Sequence, residues 1–482
     1  FYAYLTGLRP SAVRAAVMAS IYLMGILMGR PPRLLNSLAA AALLILTFDT
    51  QQIFLPGFQL SFAVLAAIAL LAPPIRRRLH HRIQPDPFIP SSLVPAATRR
   101  AVKAGRSIAD LAAVSTAAWI GSAPLGLWHF HLVTPVALVA NMFFVPLAFV
   151  TLSVATMSLL SAGVGLGALS ILLNHLNGIT AKLLLLASAG FASLPGSHFY
   201  IDPFPSRQSE TCRVTVLDTG LGGAAQLISV KRPRTRILVD CGGTGSFFEV
   251  VRPFLRGEGG ARLDALVLTH GDAQHLGGAA PLMSAHSPAT IFQSPLRNRS
   301  PYYRDFLAAR EALAPSAPPL LDVVAGDLIF EADEGDTSLR VLYPPAKTNQ
   351  DFAADNQCLV LLLECHGWRV LLLSDSGFVT EKWLLENESQ LRCDVMIKGR
   401  HRSDFSGLPE FLNATRPGAI VCTNFHFPQE ERLEKSWVED AENRGIQVFD
   451  QAATGAVRID LTAGELRVES FLTDQVFTKR AR

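Results

Sequence analysis

Residues 266–278 read LVLTHGDAQHLGG, and they indicate the fold of the C-terminal half of the chain. A short apolar run is followed at once by His270, Asp272 and His275, and then by two glycines. We expect a buried strand that ends in a tight turn, because the run is too short for a helix and glycine follows it. Such a turn brings imidazoles and a carboxylate together, and these groups bind divalent metals. Taken alone, a polar loop with chance histidines would explain the turn equally well.

Four other segments have the same form, a short apolar run that ends in an acid or a histidine beside glycine. They are VLDTGLGGA (216–224, with Asp218), LVDCGG (238–243, with Asp240), LLLSDSG (371–377, with Asp375) and IKGRHRSDFSG (397–407, with His401). Sites form where such strand ends meet, so we predict an α/β or layered β domain whose site lies at the strand ends. A metal held there would activate water for hydrolysis.

The N-terminal half has the composition of a membrane protein. Apolar residues make up 49% of the 482 residues and charged residues only 17%, most of them after residue 200. This composition excludes a disordered chain, a collagen-like chain and a disulfide-rich miniprotein. A bilayer core about 30 Å thick needs about 20 apolar helical residues. We predict six spans, at 11–29, 34–48, 58–73, 107–124, 132–162 and 168–190, or seven if 132–162 breaks at Pro146.

Basic residues set the predicted orientation. Eight of them lie between the third and fourth spans: Arg76, Arg77, Arg78, Arg82, Arg99, Arg100, Lys103 and Arg106. The positive-inside rule places this connection, and the first one with Arg30 and Arg33, in the cytoplasm. Six spans then place the C-terminal domain outside the cytoplasm, and seven would place it inside.

Residues 193–211 contain three prolines and mark a domain boundary. We predict a polytopic helical domain at 1–192, a linker at 193–211 and the α/β domain at 212–482. All six cysteines lie in the last domain and none forms a CxxC pair, so buried free thiols are the default expectation. Disulfide bonds are the alternative if that domain is extracytoplasmic.

The motif order LDxGxGxA, VDxGG, THxDxxH-xGG, N…LVL, LLLxD and IKxxH resembles the metallo-β-lactamase (αββα) fold. More narrowly, it resembles the C-terminal domain of the ComEC family of competence proteins. YLTGLRPSAVRAAVM (4–18) and LPGFQLSFAVLAAIALL (55–71) are similar to membrane segments of that family. The family also has an upstream OB-like part, so the resemblance implies that the chain is N-terminally incomplete.

The resemblance implies a multi-pass inner-membrane protein that passes single-stranded DNA into the cytoplasm. Its partners would be single-stranded DNA, the lipid bilayer and other DNA-uptake machinery, and a homo-oligomer stays open. The soluble domain would be extracytoplasmic and nuclease-like.

The same resemblance supplies the candidate site residues. Asp272 and His275 are the catalytic candidates. The metal candidates are His270, Asp272, His275, Asp375 and His401, and the substrate-binding candidates are Arg400, Arg402 and Asn356.

Two departures from the family motifs weaken the expected metal site. Gln274 replaces the second Asp of the turn, and neutral Gln is a poor ligand. Arg400 replaces a histidine, and its fixed positive charge repels a cation. We therefore predict a degenerate site that holds one Zn or Mn ion, for instance on His270, Asp272 and Asp375, or no ion at all.

Three functions remain open from the sequence. The first is a DNA-uptake protein with a degenerate soluble domain. The second is the same transporter with an active metal-dependent nuclease. The third is a membrane-anchored metallo-hydrolase of small molecules, because the soluble fold hosts many hydrolytic reactions.

Overall fold

The computed structural model describes residues 7, 10–29, 33–84, 94–201, 212–220, 224–230, 235–258, 263–295, 300–332, 336–346, 356, 358–401, 404, 406–427 and 432–481. The chain divides into two compact units, Phe1–Phe204 and Pro205–Arg482. This division falls inside the predicted linker 193–211.

The first unit is helical. Its helices are α1 (Pro10–Leu27), α2 (Leu34–Phe48), α3 (Pro56–Arg82), α4 (Ala96–Phe130), α5 (Ala137–Gly163) and α6 (Gly167–Ala192), with a 3-10 turn at Thr50–Phe54. Helices α3 to α6 are long and apolar enough to cross a membrane, while α1 and α2 are shorter. Helix α5 continues through Pro146 without a break. The seven-span alternative required a break there, so the structure argues against it. These apolar helices and their sequence make the chain a membrane protein.

The basic connection between the third and fourth predicted spans is largely helical. Helix α3 continues beyond its predicted end at residue 73, and α4 begins before its predicted start at residue 107. Long basic side chains at helix ends reach the interface, so such ends need not leave the helix. His80 Nε2 lies 2.8 Å from Asp110 Oδ1 and joins the two helices. Deeper in the unit, His129 Nε2 lies 2.7 Å from Gln59 Oε1, which is the interhelical hydrogen bonding expected of polar residues in a membrane.

The second unit contains two large sheets. Among the described residues, one sheet has nine strands in the order β18-β17-β16-β3-β4-β5-β6-β7-β8. The bounds are β3 Cys212–Val216, β4 Gln226–Val230, β5 Thr235–Val239, β6 Ala265–Leu268, β7 Thr290–Gln293, β8 Leu320–Asp322, β16 Val457–Leu461, β17 Glu465–Ser470 and β18 Val476–Arg480. Strands β5 to β8 are parallel, so their carboxyl ends share one edge.

The other sheet has seven described strands in the order β15-β14-β13-β12-β11-β10-β9. Its bounds are β9 Leu328–Glu331, β10 Thr337–Tyr343, β11 Val360–Cys365, β12 Trp368–Ser374, β13 Val395–Lys398, β14 Ala419–Cys422 and β15 Gln447–Asp450. Strands β12 to β15 are parallel. The remaining short strands, β1 (Leu132–Val133) and β2 (Phe199–Tyr200), pair in the first unit.

Three apolar clusters hold the second unit together. One contains residues of both sheets, such as Val214, Val267 and Leu361, and fills the space between them. The other two lie on the outer faces, beneath helices. The helices are α7 Thr244–Ser246, a π-helical turn Phe247–Val251, α8 Arg252–Gly257, α9 Ala273–Leu276, α10 Ala279–Ala285, α11 Pro301–Glu311, α12 Phe378–Asn387, α13 Pro409–Thr415, α14 Lys435–Asn443 and α15 Gln451–Thr454. This helix–sheet–sheet–helix layering confirms the predicted αββα class, and all six cysteines are buried free thiols, as expected.

Candidate metal centre

Polar residues from both sheets meet where parallel strands end. Asp240 follows β5, and Thr269 and His270 follow β6, which pairs with β5 in parallel. In the other sheet, Asp375 follows β12, and Gly399 follows the parallel strand β13. Four of the five segments singled out in the sequence therefore end at these strand ends.

Asp240 lies at the centre of a buried hydrogen-bond network. Its Oδ1 accepts from the Thr269 backbone N–H at 2.9 Å, and its Oδ2 accepts from the Thr269 hydroxyl at 2.7 Å. Oδ2 also lies 2.8 Å from His275 Nδ1. A carboxylate can only accept hydrogen bonds, so His275 carries a proton on Nδ1 and donates it to Asp240. In the neutral imidazole, Nε2 is then the nitrogen without a proton. Asp240 thus fixes both the orientation and the tautomer of His275.

The second nitrogen of His275 faces Asp375. His275 Nε2 lies 3.1 Å from Asp375 Oδ2, and His270 Nε2 lies 3.7 Å from the same oxygen. The side chains of both histidines are 1% exposed and that of Asp375 is 13% exposed. The two imidazole centres are 4.2 Å apart. Two histidines from one sheet and a carboxylate from the other therefore surround one small volume.

A pair of hydroxyls joins the sheets beside this volume. Thr269 Oγ1 lies 2.9 Å from Ser374 Oγ, and it is the same hydroxyl that binds Asp240. Asp240 and Ser374 both adopt left-handed backbone conformations, with φ of 56° and 51°. Such conformations cost L-residues about 1 kcal/mol or more. They turn the backbone sharply at the ends of β5 and β12.

Opposite charges act on the pKa values of His275 and Asp375. Burial by itself lowers the pKa of His275, but the carboxylates of Asp375 and Asp240 outweigh it and raise that pKa well above its usual range. Burial opposes ionisation of Asp375, but His275 and His270 outweigh it and lower the pKa of Asp375. The centre therefore favours a protonated His275 beside an ionised Asp375 when no cation is bound.

The donor set fits one metal ion. Asp240, His270 and His275 each offer a ligand atom within 4.8 Å of the others. The oxygens of Asp240 are already taken by Thr269 and His275, so we assign it an orienting role. His275 Nε2 and Asp375 Oδ1 are buried and have no hydrogen-bond partner in the described part of the chain. His270, His275 and Asp375 are therefore the residues that would hold an ion, and an ion held there would supply a polarised water.

Asp272 and Gln274 lie in the turn after β6. Asp272 is exposed, and its Oδ1 accepts from the Gln274 backbone N–H at 2.8 Å, so it caps α9. Gln274 packs against Gly243, where an added Cβ would come within 2.7 Å of Gln274 Oε1. The role of Asp272 as a metal ligand stays a prediction.

His401 is buried beside Gly377 and lies next to an acid of its own loop. Its Nδ1 is 3.2 Å from Asp404 Oδ2. An added Cβ on Gly377 would lie 2.7 Å from the His401 ring, so this glycine makes room for the imidazole. His401 therefore stands at the edge of the centre, on the loop after β13.

The predicted substrate-binding residues are only partly defined. Arg400 and Asn356 each have a buried side-chain atom, Nη1 and Oδ1 respectively, without a hydrogen-bond partner among the described residues. The backbone oxygen of Asn356 accepts from the Tyr343 hydroxyl at 2.8 Å. Arg402 lies outside the described residues. The substrate contacts of all three stay predictions.

The loop that carries Arg400 and His401 is held by buried charged residues that the sequence motifs did not single out. Glu381, on α12, accepts from the backbone N–H groups of Gly407 and Leu408. Lys398 is 2% exposed, and its Nζ lies 4.4 Å from the centre of the Trp437 ring. Burial raises the pKa of Glu381 and lowers the pKa of Lys398. These groups fix the end of the loop.

Comparisons with known proteins agree with both units. Residues 1–217 match the family model described as "Competence protein", and residues 222–353 match the metallo-beta-lactamase superfamily. ComE operon protein 3 of Bacillus subtilis (strain 168) is 26% identical over 500 aligned positions, which cover 90% of this chain and 59% of that protein. The chain therefore combines a competence-protein domain with a metallo-beta-lactamase domain and is a homologue of ComE operon protein 3.

A second similar protein is Recombination protein 2 of Haemophilus influenzae (strain ATCC 51907 / DSM 11121 / KW20 / Rd). It is 25% identical over 280 residues, which cover 57% of this chain and 32% of that protein. The chain thus spans about three fifths of the length of one curated relative and one third of the other.

Solved structures similar to this chain include metallo-β-lactamases. GOB-18 from Elizabethkingia meningoseptica is 14% identical, with a TM-score of 0.25 and coverage of 39% of this chain and 77% of that one. A mutant of the CmlA β-hydroxylase is 13% identical, with a TM-score of 0.35 and coverage of 59% of each chain. With TM-scores this low, these structures add nothing to what the family model and the αββα layers already show about the fold.

Proposed function

We propose that this chain is the membrane part and the soluble part of a DNA-uptake protein, in which the helical unit forms a channel for single-stranded DNA. The observation that carries the proposal is the match of a competence-protein model to residues 1–217, which contain the apolar helices. A single helix would be enough to anchor a hydrolase, so four long apolar helices favour transport over anchoring.

The proposed orientation depends only on α3 to α6. Arg76 and Arg82 near the end of α3 and Arg99 near the start of α4 lie on one side, which the positive-inside rule assigns to the cytoplasm. From that side, the three crossings of α4, α5 and α6 take the chain to the opposite side, so the second unit is extracytoplasmic. A phosphatase fused after residue 482 should be active, and one fused after residue 84 should be inactive. The reverse pattern would contradict this orientation.

The soluble unit is proposed to be degenerate as a two-metal nuclease. His270, His275 and Asp375 supply three ligands, which suits one ion. Gln274 is neutral, and Arg400 adds a positive charge to the loop after β13. These two residues remove the ligands that a second ion would need.

An active one-metal nuclease is the second candidate. It is favoured by His275 Nε2, which faces the Asp375 carboxylate at 3.1 Å, and by the buried Oδ1 of Asp375, which has no hydrogen-bond partner among the described residues. Metal content and DNA cleavage separate the two candidates in the full-length chain. The variant is His275→Ala, and the control is His366→Ala, because His366 lies between β11 and β12 and pairs with Asp336.

Degeneracy predicts no metal-dependent cleavage in the wild-type chain, whether or not an ion binds. Stoichiometric Zn or Mn together with cleavage that His275→Ala abolishes and His366→Ala retains would establish the nuclease. For transport, proteoliposomes with the full-length chain should admit a fluorescent single-stranded oligonucleotide, whereas empty liposomes should not. Equal entry into both would contradict the channel.

A further inference from the structure

Arg14 is a buried cation in the helical unit. It lies in the second turn of α1 and is 7% exposed, and its Nε is buried without a hydrogen-bond partner among the described residues. Within the described part of this unit, no acidic side chain forms an ion pair with it. Burying a charge without a partner is strongly unfavourable, more so in a membrane protein. Arg14 therefore requires an anion that the described protein does not supply.

The guanidinium faces the start of a long helix. Gly57 is the second residue of the 27-residue helix α3, and an added Cβ there would lie 2.8 Å from Arg14 Nη2. The N-terminus of a helix carries a partial positive charge of about half an elementary charge. Two positive groups are thus held next to each other, which makes an anion near Arg14 more favourable.

A cavity of about 360 Å³ opens beside Arg14. Its walls are mostly apolar and come from α1 and α2, including Val17, Leu44 and Phe48. Phe48 is 85% exposed, so the apolar wall continues to the outer surface of the unit. The volume lies within the range of small-molecule sites.

Asp49 also lines the cavity, but its carboxylate is already used. It accepts from the Gln51 backbone N–H and from Gln52 Nε2, each at 3.0 Å. It therefore caps the 3-10 turn and is not in ion-pair contact with Arg14. Its negative charge also lowers the affinity of the cavity for ligands with several negative charges.

We propose that this cavity binds the phosphate of an anionic phospholipid at the Arg14 guanidinium. The glycerol and acyl chains would lie on the apolar wall that ends at Phe48. A single phosphodiester monoanion matches the one cation of this cavity. A nucleic-acid strand carries a charge at every nucleotide and needs a series of cations, whereas this cavity has one arginine and one carboxylate.

Native mass spectrometry of the full-length chain in detergent tests the site. The probes are phosphatidylglycerol and a diacylglycerol with the same acyl chains but no phosphate. We expect phosphatidylglycerol to bind and diacylglycerol to bind at least about tenfold more weakly, since a charged hydrogen bond is lost. Arg14→Gln should weaken phosphatidylglycerol binding by a similar factor.

A second variant changes the site without changing any charge. Gly57→Ala places a methyl group against the guanidinium and should weaken phosphatidylglycerol binding several-fold, although alanine favours the helix itself. The control for space is Gly25→Ala on α1, where an added Cβ meets no atom within 4 Å. The control for charge is Lys182→Gln, because Lys182 is exposed on α6. Both controls should bind like the wild type.

Three results would overturn the proposal. Wild-type affinity in Gly57→Ala and Arg14→Gln would remove the site from this cavity. Equal affinity for diacylglycerol would make it a purely apolar site. Displacement of phosphatidylglycerol by an oligodeoxythymidylate, dependent on Arg14, would make it a nucleic-acid site. If Arg14→Gln does not fold, Gly57→Ala alone is decisive. Weaker binding in that variant supports the proposal, and wild-type affinity overturns it.

Discussion

Asp240 Oδ2 lies 2.8 Å from Nδ1 of His275, and both side chains are 1% exposed. This contact determines which nitrogen of His275 is available to the centre, because the carboxylate holds the proton on Nδ1. The same oxygen accepts from the Thr269 hydroxyl, so one carboxylate orients residues of two consecutive segments. Groups of this kind in metal sites typically change metal affinity by about 10- to 100-fold when they are removed.

Asp240→Asn should destabilise the soluble unit even without metal. An amide nitrogen would replace an acceptor that serves two donors, and breaking a buried charged pair costs about 3–5 kcal/mol. Hydrogen exchange of the amides in β5 and β6 measures the loss. Asp322→Asn is the control, since Asp322 accepts only from the exposed Gln293 side chain in the described structure. Equal protection in both variants would contradict the role of Asp240.

In the metal-free protein, the pair of His275 and Asp375 should contribute most to stability between about pH 4 and 6.5. The raised pKa of His275 makes its proton stabilising, and this contribution is full below about pH 6.5 and lost as pH rises through the folded pKa. The lowered pKa of Asp375 contributes above about pH 4 and is lost as pH falls through its folded pKa. Hydrogen exchange of β6 amides at stepped pH, with a chelator, gives the profile.

The alkaline side of this profile isolates His275. Its slope approaches at most about 1.4 kcal/mol per pH unit for one proton. His275→Gln should flatten that side whatever its effect on absolute stability, and His366→Ala should not. A slope unchanged by His275→Gln would show that another group titrates there.

Gly399→Ala should displace Asp375. An added Cβ at residue 399 would overlap Asp375 Oδ1, and the backbone of Ser374 leaves little room on the other side. We expect a loss of about 1–3 kcal/mol from overpacking, together with weaker metal binding. Gly464→Ala is the matched control, because its added Cβ meets no atom within 4 Å. Metal titration monitored by calorimetry compares them, and equal affinities would sink the prediction.

Glu381→Gln should loosen the loop after β13 without touching the centre directly. One amide group would face the backbone N–H groups of Gly407 and Leu408, leaving one of them unsatisfied at a cost of about 1–3 kcal/mol. Faster hydrogen exchange at residues 406–408 would report it. Glu386→Gln, on the exposed face of the same helix, should leave exchange unchanged. Should both variants exchange alike, Glu381 does not hold the loop.

Much of the fold followed from hydropathy and strand ends. The runs at 235–240, 264–270, 369–374 and 394–398 became β5, β6, β12 and β13, because short apolar runs before polar turns can be buried only as strands in a layered fold. Helix bounds were less predictable. Helix α3 extends to Arg82 because basic side chains at a helix end can reach water without leaving the helix.

The site was only partly predictable. His270 follows β6, His275 lies on α9 just after it, and Asp375 follows β12 of the other sheet, so the three side chains converge. Asp272 shows the limit of the sequence, because its residue type and spacing are those of a ligand while its oxygen caps α9. The orienting role of Asp240 depends on a left-handed turn and on the distance to His275, and neither is written in the pattern LVDCGG.

The bond between Thr269 and Ser374 gives the polar centre a second use. It links the two sheets at one end, so the acid and the histidine bonded to this pair contribute to folding independently of any reaction. A lineage that lost hydrolysis would still be selected to keep them. Survival of these residues in a descendant is therefore no sign that its ancestor's reaction survived.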